Sequence, residues 1–234
     1  MATFVLVHGA WHGGWCYKRV AQRLRTKGHE VYTPTLTGLG ERSHLLHAGV
    51  NLSLHVQDIL NVLRWEELSA VVLCGHSYGG MVITGVAAAV PDKIASLVYL
   101  DAFVPDAGQS LWDLTRDEVK QRGLAGVGRF GGYALPPISA EMFHVNPADR
   151  AWVDAQCVPQ PFAAFLEPAK VGARNLDVKK RTYIFASNYQ PTSFTRFYTA
   201  LKNDPGWTVK TAPCGHDVMI DEPDLLTEML IAAA

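Results

Sequence analysis

The sequence predicts an α/β fold, with a mostly parallel sheet of about six strands, helices on both faces and one inserted segment. Short apolar runs alternate with helix-compatible segments along most of the 234 residues. One stretch, from about residue 105 to residue 179, breaks this alternation and is rich in aromatic residues. A chain of this length can form one α/β domain with a sizeable core, so we treat the aromatic stretch as an insertion within a single domain.

Six runs have the length and composition of strands, and the run at residues 70–74 is continuously apolar, as in a strand that is buried on both faces. They cover residues 3–7, 30–33, 70–74, 94–100, 182–186 and 208–212. Helices are predicted over residues 15–27, 54–64, 81–90, 192–203 and 223–232. Strands and helices thus alternate in the order that builds a parallel sheet. Residues 1–104 and 180–234 are expected to form the α/β core of the domain.

The inserted segment, residues 105–179, is predicted to form a helical cap over the carboxyl edge of the sheet. Ligands of open parallel sheets bind at that edge, so an aromatic insertion there is placed to wall a pocket. Most of its aromatic side chains are expected to form the cap's own small core, while two or three face the ligand. Trp112 and Phe162 are our candidates for substrate contact.

Composition argues against several classes of partner. Hydrophobic residues make up 48% of the chain, charged residues 18%, and the formal net charge is −1. The chain therefore lacks the basic excess that binding to nucleic acid or to an anionic membrane requires. The first residues lead directly into an apolar strand without a basic leader, and no apolar run is long enough to span a bilayer. We therefore expect a cytoplasmic protein whose oligomeric state stays open, a homodimer being one option.

The four cysteines, Cys16, Cys74, Cys157 and Cys214, are far apart in the chain and form no C-x-x-C pair. Such spacing suggests neither a zinc site nor a redox motif. We expect reduced, mostly buried thiols and no bound metal.

The run Gly75-His76-Ser77-Tyr78-Gly79 lies where an apolar strand is predicted to meet an apolar helix. So sharp a turn strains the residue at its apex, and glycines on either side relieve the crowding. The amide of Tyr78 begins the helix, where backbone N–H groups favour negative charge. This is the layout of a nucleophile elbow and predicts acyl transfer with Ser77 as nucleophile. The alternative, a glycine-rich turn with an incidental serine, is disfavoured by the flanking strand and helix.

A serine hydroxyl needs an adjacent base, and His216 is the candidate among nine histidines. It follows the last predicted strand and a glycine turn, and it precedes the final helix, which is where hydrolases of this topology carry the base. The alternative is a solvated loop histidine.

Residues 8–15, which read His-Gly-Ala-Trp-His-Gly-Gly-Trp, form a loop after the first strand. An oxyanion hole needs a second backbone N–H from such a loop, and we assign it to Ala10, paired with the amide of Tyr78. His8 and His12 are expected mainly to brace this loop. Trp11 and His12 are also candidates for substrate contact.

The acid that orients the base is harder to assign, because residues 185–191, after the penultimate strand, contain no carboxylate. Asp101 ends the apolar strand that follows the serine elbow and could reach His216 from there. A carboxylate that closes an apolar strand needs a partner. Alternatives for Asp101 are a cap of the next turn or a surface ion pair. Asp106, Asp204 and Asp217 are weaker candidates for the acid.

Together, the loop after the first strand, the serine elbow and the Cys-Gly-His turn at residues 214–216 resemble motifs of the α/β-hydrolase superfamily. The resemblance covers nearly the whole chain and is strongest to the small branch of plant methylesterases, hydroxynitrile lyases and related bacterial esterases. It implies the α/β-hydrolase fold and cofactor-free hydrolysis of a small-molecule ester. It also implies Ser77 as nucleophile, His216 as base, and the amides of Ala10 and Tyr78 as oxyanion donors.

Three departures from that branch bear on function. Cyanohydrin-cleaving members carry threonine after the first histidine and lysine after the catalytic histidine, whereas this chain has Gly9 and Asp217. A lyase is therefore a disfavoured alternative; a non-catalytic ligand receptor of the same fold is another. The plant enzymes carry their acid after the penultimate strand, whereas Asp101 resembles the earlier acid of haloalkane dehalogenases. The nucleophile of haloalkane dehalogenases is a carboxylate, so the serine at position 77 excludes dehalogenation. The apolar cap favours small apolar esters.

Overall fold

Eight strands are present in the computed structural model, which describes residues 1–234. Their bounds are β1 (Thr3–Val7), β2 (Glu30–Tyr32), β3 (Val71–His76), β4 (Ile94–Leu100), β5 (Ala134–Leu135), β6 (Gln160–Pro161), β7 (Arg181–Ala186) and β8 (Thr208–Ala212). Six of them form one sheet in the order β2-β1-β3-β4-β7-β8. All neighbouring pairs in that sheet are parallel. The predicted α/β class and six-stranded sheet are thereby confirmed.

Ten α-helices surround or follow the strands. They are α1 (Lys18–Thr26), α2 (Leu52–Trp65), α3 (Gly79–Ala89), α4 (Leu111–Leu114), α5 (Asp117–Val127), α6 (Arg150–Gln156), α7 (Ala163–Leu166), α8 (Thr195–Leu201), α9 (Val218–Asp221) and α10 (Pro223–Ala233). Five short 3-10 helices cover Gly14–Tyr17, Gly40–Leu45, Pro91–Lys93, Gly128–Phe130 and Ala173–Asn175. None of the helices is both long and apolar enough to cross a membrane.

The six predicted strands agree with the observed ones to within two residues at each end. The helix predicted over residues 15–27 is in fact a 3-10 turn, Gly14–Tyr17, followed by α1. The short elements α9, β5 and β6 were not predicted, because four or two residues are too few to show a periodic pattern. The pair β5 and β6 forms a separate antiparallel ribbon.

Strand β3 lies in the middle of the sheet, between β1 and β4, and every one of its residues is buried. Burial on both faces explains its continuous apolar sequence. The sheet is parallel, so the loops that follow β1, β3, β4, β7 and β8 all leave from the same edge. This edge brings together loops that are distant in the chain.

Helices α4 to α7 and the β5–β6 ribbon lie between β4 and β7 in the chain, within residues 101–180. This segment contains the stretch predicted as a cap, residues 105–179; the division into a core and a cap remains a prediction. All four cysteines are free thiols, and three of them are buried while Cys157 is partly exposed.

A substitution of Gly75 tests how tightly the turn after β3 is packed. A Cβ atom on Gly75 would lie 2.5 Å from the carbonyl oxygen of Gly79, which backbone atoms cannot accommodate. We expect Gly75→Ala to lower the free energy of unfolding by about 1–3 kcal/mol, as overpacking does elsewhere. Urea denaturation measures this change. Gly128→Ala is the control, because a Cβ there meets nothing within 4 Å, and an equal loss in both variants would contradict the account.

Candidate active site

Ser77 occupies the tight turn between β3 and α3. Its φ angle of +53° lies in the left-handed region that side chains other than glycine rarely adopt. The neighbouring Gly79 is needed there, because a Cβ on it would lie 2.8 Å from the carbonyl oxygen of Val7. The amide of Ser77 donates to the carbonyl of Leu100 at 3.2 Å, which ties the turn to the end of β4. The strained turn presents the serine, 8% exposed, to a cavity.

His216 lies in the loop between β8 and α9 and borders the same cavity as Ser77. Its backbone amide donates to the carbonyl of Phe143 at 2.8 Å. Two aromatic rings stack on the imidazole: the ring centroids of Phe194 and Tyr189 lie 4.9 and 4.8 Å from it. These contacts fix the plane of the imidazole and cover most of its surface, leaving 3% exposed.

Asp101, the first residue after β4, reaches His216 across the end of β7. Its Oδ2 atom lies 2.6 Å from Nδ1 of His216, and its Oδ1 atom accepts a hydrogen bond from the amide of Ala186 at 3.1 Å. The side chain is fully buried, and its φ angle of +39° again marks a strained turn. Of the weaker candidates, Asp106 is exposed and Asp204 faces Arg174. Asp217 lies close to His216, but its Oδ2 atom pairs with His12.

Burial sets the protonation of this pair. It lowers the pKa of His216 to about 4, against the opposing attraction of Asp217. Burial also raises the pKa of Asp101, opposed by the hydrogen bond from Ala186. At neutral pH the imidazole is therefore uncharged. Because its Nδ1 atom lies 2.6 Å from Oδ2 of Asp101, the ring proton lies on that side, and Nε2 is left as a proton acceptor.

The backbone amides of Ala10 and Tyr78 donate to no acceptor within the protein. Both residues border the cavity beside Ser77. Trp11, with a φ angle of +64°, donates its amide to the buried Oε1 atom of Gln160 at 3.0 Å, which holds the loop that carries Ala10. Two backbone N–H groups therefore have no acceptor and lie in the wall of the cavity that Ser77 borders.

The cavity has a volume of about 70 Å³ and is partly open to solvent. Aromatic and apolar side chains form most of the wall, with Thr115, Arg116, Thr192 and Ser193 among the polar exceptions. The wall aromatics are Trp11, Tyr78, Phe103, Phe143, Phe165, Tyr189 and Phe194.

Of the four residues predicted to contact substrate, Trp11 lines this cavity and three do not. His12 lies behind the wall, stacked on Trp15 at 5.2 Å. Phe162 and Trp112 pack against each other at 5.0 Å within the inserted segment, and Trp112 borders a smaller neighbouring cavity. Substrate contact by these three residues stays a prediction that the lining of this cavity does not support. For Trp112 and Phe162, the direction of the side chain depends on packing within the insertion that no sequence pattern reveals.

Sequence patterns did not identify Tyr189 and Phe194, although they stack on His216 and line the cavity. They belong to the loop after β7, which leaves from the same edge of the sheet as the serine elbow. That position is the signal that could have identified them.

Buried donors that could hold a metal ion are confined to His76, His216 and Asp217, whose ligand atoms lie within 4.8 Å of one another. Nε2 of His76 donates to the carbonyl of His216, and Oδ2 of Asp217 accepts from His12. Nδ1 of His76 and Oδ1 of Asp217 are buried without a hydrogen-bond partner.

The model of the family described as "Alpha/beta hydrolase family" matches residues 4–229. The chain is 48% identical over 240 residues to the "Carbendazim hydrolyzing esterase" of Nocardioides sp. (strain SG-4G), and 99% of each chain is covered. It is 34% identical to "Methylesterase 10" of Arabidopsis thaliana over 103 residues, 44% of this chain and 38% of that protein.

Among solved structures, an extracellular alpha/beta-hydrolase from a Paenibacillus species superposes with a TM-score of 0.84. The two chains are 24% identical, and the match covers 100% of this chain and 99% of the other. At this identity the likeness concerns the fold.

The opposite environments of His216 and His12 predict opposite shifts of their pKa values, which NMR can follow through the imidazole ring signals. We expect His216 to stay neutral on acidification until about pH 4. His12, whose carboxylate partner Asp217 outweighs the effect of burial, should titrate above the ordinary histidine value near 6.5. The spectra of His216→Asn and His12→Asn assign the signals. A His216 that titrates at or above pH 6.5 would overturn the described electrostatics.

Proposed function

Because the chain belongs to the alpha/beta hydrolase family and is a carboxylic ester hydrolase, we propose that it cleaves small apolar esters through an acyl-enzyme on Ser77. Its relative at 48% identity over 99% of both chains carries the name of an esterase. The observation that carries the serine mechanism is that Ser77 and His216 border one cavity, with Asp101 2.6 Å behind the base.

In the proposed first step, Nε2 of His216 takes the proton of the Ser77 hydroxyl as its oxygen attacks the ester carbonyl carbon. The imidazolium that results is stabilised by Asp101 through the Nδ1 hydrogen bond. The imidazolium then protonates the departing alkoxide, and the alcohol leaves. This step requires that the imidazole is neutral before the reaction. Burial of His216 supports a neutral imidazole, because burial lowers its pKa to about 4.

In the second step, His216 takes a proton from water, and the resulting hydroxide attacks the acyl carbon on Ser77. The base then returns that proton to the serine oxygen, and the carboxylic acid is released. Both tetrahedral intermediates place a negative oxygen beside the amides of Ala10 and Tyr78, which have no competing acceptor. One such donor is typically worth roughly 2.7–4 kcal/mol of barrier. No cofactor is required by any of these steps.

The cavity supports an apolar substrate, because most of its wall is aromatic or aliphatic. Its single cationic side chain, Arg116, donates to the carbonyl of Pro191 and lies 3.4 Å from Glu118. A guanidinium with these partners is partly neutralised and does not call for an acidic substrate. The name of the relative makes carbendazim a compound to test alongside simple esters.

Two observations count against cyanohydrin cleavage. A Cβ on Gly9 would lie 2.8 Å from Nδ1 of His76 and 2.9 Å from Cβ of Ser77, so this turn has no room for a threonine. The residue after the base, Asp217, is a buried carboxylate that pairs with His12 and offers no positive charge for a cyanide ion. The unoccupied amides and the neutral base favour turnover over a receptor role.

Replacement of Ser77 by alanine tests the proposed function directly. We expect Ser77→Ala to lower kcat for a p-nitrophenyl ester by a factor on the order of 10⁶, as loss of the nucleophile does in other triads. Ser96→Ala is the matched control, since Ser96 is a buried serine on β4 whose hydroxyl has no partner. Circular dichroism verifies that both variants fold. Substantial hydrolysis by folded Ser77→Ala would exclude the serine mechanism.

A further inference from the structure

A second buried histidine–carboxylate pair lies beside the proposed triad. Nε2 of His12 lies 3.1 Å from Oδ2 of Asp217, and the two side chains are 1% and 0% exposed. Asp217 directly follows His216 in the chain, while His12 belongs to the loop after β1 that carries Ala10. The pair therefore joins two loops that are 205 residues apart in sequence.

The other ring nitrogen of His12 contacts its own loop. Nδ1 donates to the carbonyl oxygen of Ala10 at 2.7 Å, while Nε2 donates to Asp217. A histidine that donates from both nitrogens is an imidazolium. Burial lowers the pKa of His12, but the charge of Asp217 outweighs it and the pKa is raised. Burial likewise raises the pKa of Asp217, and the opposing charge of His12 brings it to about 2.

His12 differs in this respect from the other buried histidines. Burial lowers the pKa of His8 to about 3 and that of His55 to about 4, and it also lowers the pKa values of His76 and His216. The uncharged His76 holds the loop of the base at a second point, since its Nε2 atom donates to the carbonyl of His216 at 3.0 Å. Only the His12 contact is an ion pair.

Buried ion pairs contribute little net stability compared with apolar side chains of similar volume, because both charges lose their hydration. In some proteins such a pair instead fixes the relative geometry of the groups that it joins. Misplacement of a reacting group by about 1 Å can cost on the order of 100-fold in rate. The two loops that this pair joins carry the proposed oxyanion donor, Ala10, and the proposed base, His216. The reaction requires a defined distance between these two groups.

We propose that His12 and Asp217 are positioning residues, whose buried pair fixes the Ala10 amide relative to the His216 imidazole. This inference rests on the proposed function, because it assigns the pair a role in the same ester hydrolysis. Neither residue touches the cavity. Their contribution is therefore to the rate of the chemical step and not to the binding of substrate.

The test is a double-mutant cycle with Asp217→Asn, His12→Gln and the double variant, assayed with p-nitrophenyl acetate. We expect each single variant to lower kcat about 10- to 100-fold, with KM changed by less than about twofold. The double variant should be no slower than the slower single variant, since residues that act as a unit are not additive. Urea denaturation identifies the variants that are folded.

The inference is overturned if a folded single variant keeps kcat within about fivefold of the wild type, or if the losses of the two single variants multiply in the double variant. If a single variant does not fold, kcat of the double variant alone tests the inference. The double variant is expected to fold because it buries no unpaired charge. A loss in kcat of more than about fivefold at unchanged KM then supports the inference, and a smaller loss overturns it.

Asp149→Asn is the control for loss of an ion pair in general. Asp149 binds Arg19 through two hydrogen bonds of 2.6 and 2.7 Å and is not part of the cavity wall. We expect the substitution Asp149→Asn to lower the stability of the protein and to leave kcat unchanged. Unchanged kcat in Asp217→Asn, with Ser77→Ala inactive, would reject the positioning role alone. Activity in Ser77→Ala would reject the proposed function itself.

Discussion

The buried contact between Asp101 and His216 is the constraint on which the rest of the site depends. A carboxylate that is fully buried needs hydrogen bonds to offset its lost hydration. Asp101 has one from the Ala186 amide and a second contact, 2.6 Å, with Nδ1 of His216. Both contacts arise from strand order. Strand β7 lies between β4 and β8, so its end supplies the Ala186 amide and separates Asp101 from His216 by one strand.

The parallel sheet explains why so many distant residues converge. Strands β1, β3, β4, β7 and β8 all end at one edge, and the loops that follow them carry the Ala10 amide, Ser77, Asp101, the aromatic residues that stack on the base, and His216. Two of these loops begin with a strained residue, since both Ser77 and Asp101 have positive φ angles. Strain of this kind persists only where the surrounding structure enforces it. Here the enforcing structure is the sheet edge, together with the buried histidines that tie one loop to another.

The parts of the site that follow from local patterns could be predicted from the sequence. The serine elbow is a five-residue pattern between a strand and a helix, and Asp101 is a charge at the end of an apolar run. Contacts between distant segments could not be predicted. The partner of His12 lies 205 residues away, and nothing near either residue indicates the other. The helices of the insertion are short, so neither their bounds nor the directions of Trp112 and Phe162 could be derived from periodicity.

The most direct test of the central claim is kcat of Asp101→Asn, measured on folded protein with a p-nitrophenyl ester. If Asp101 orients the base and stabilises its charged form, kcat should fall by a factor of about 10⁴, as it does when the acid of another triad becomes an amide. Asp204→Asn, which alters a carboxylate that faces Arg174 outside the site, should retain its activity. An Asp101→Asn variant that keeps kcat within about tenfold of the wild type, with a large loss in Asp204→Asn, would contradict the account.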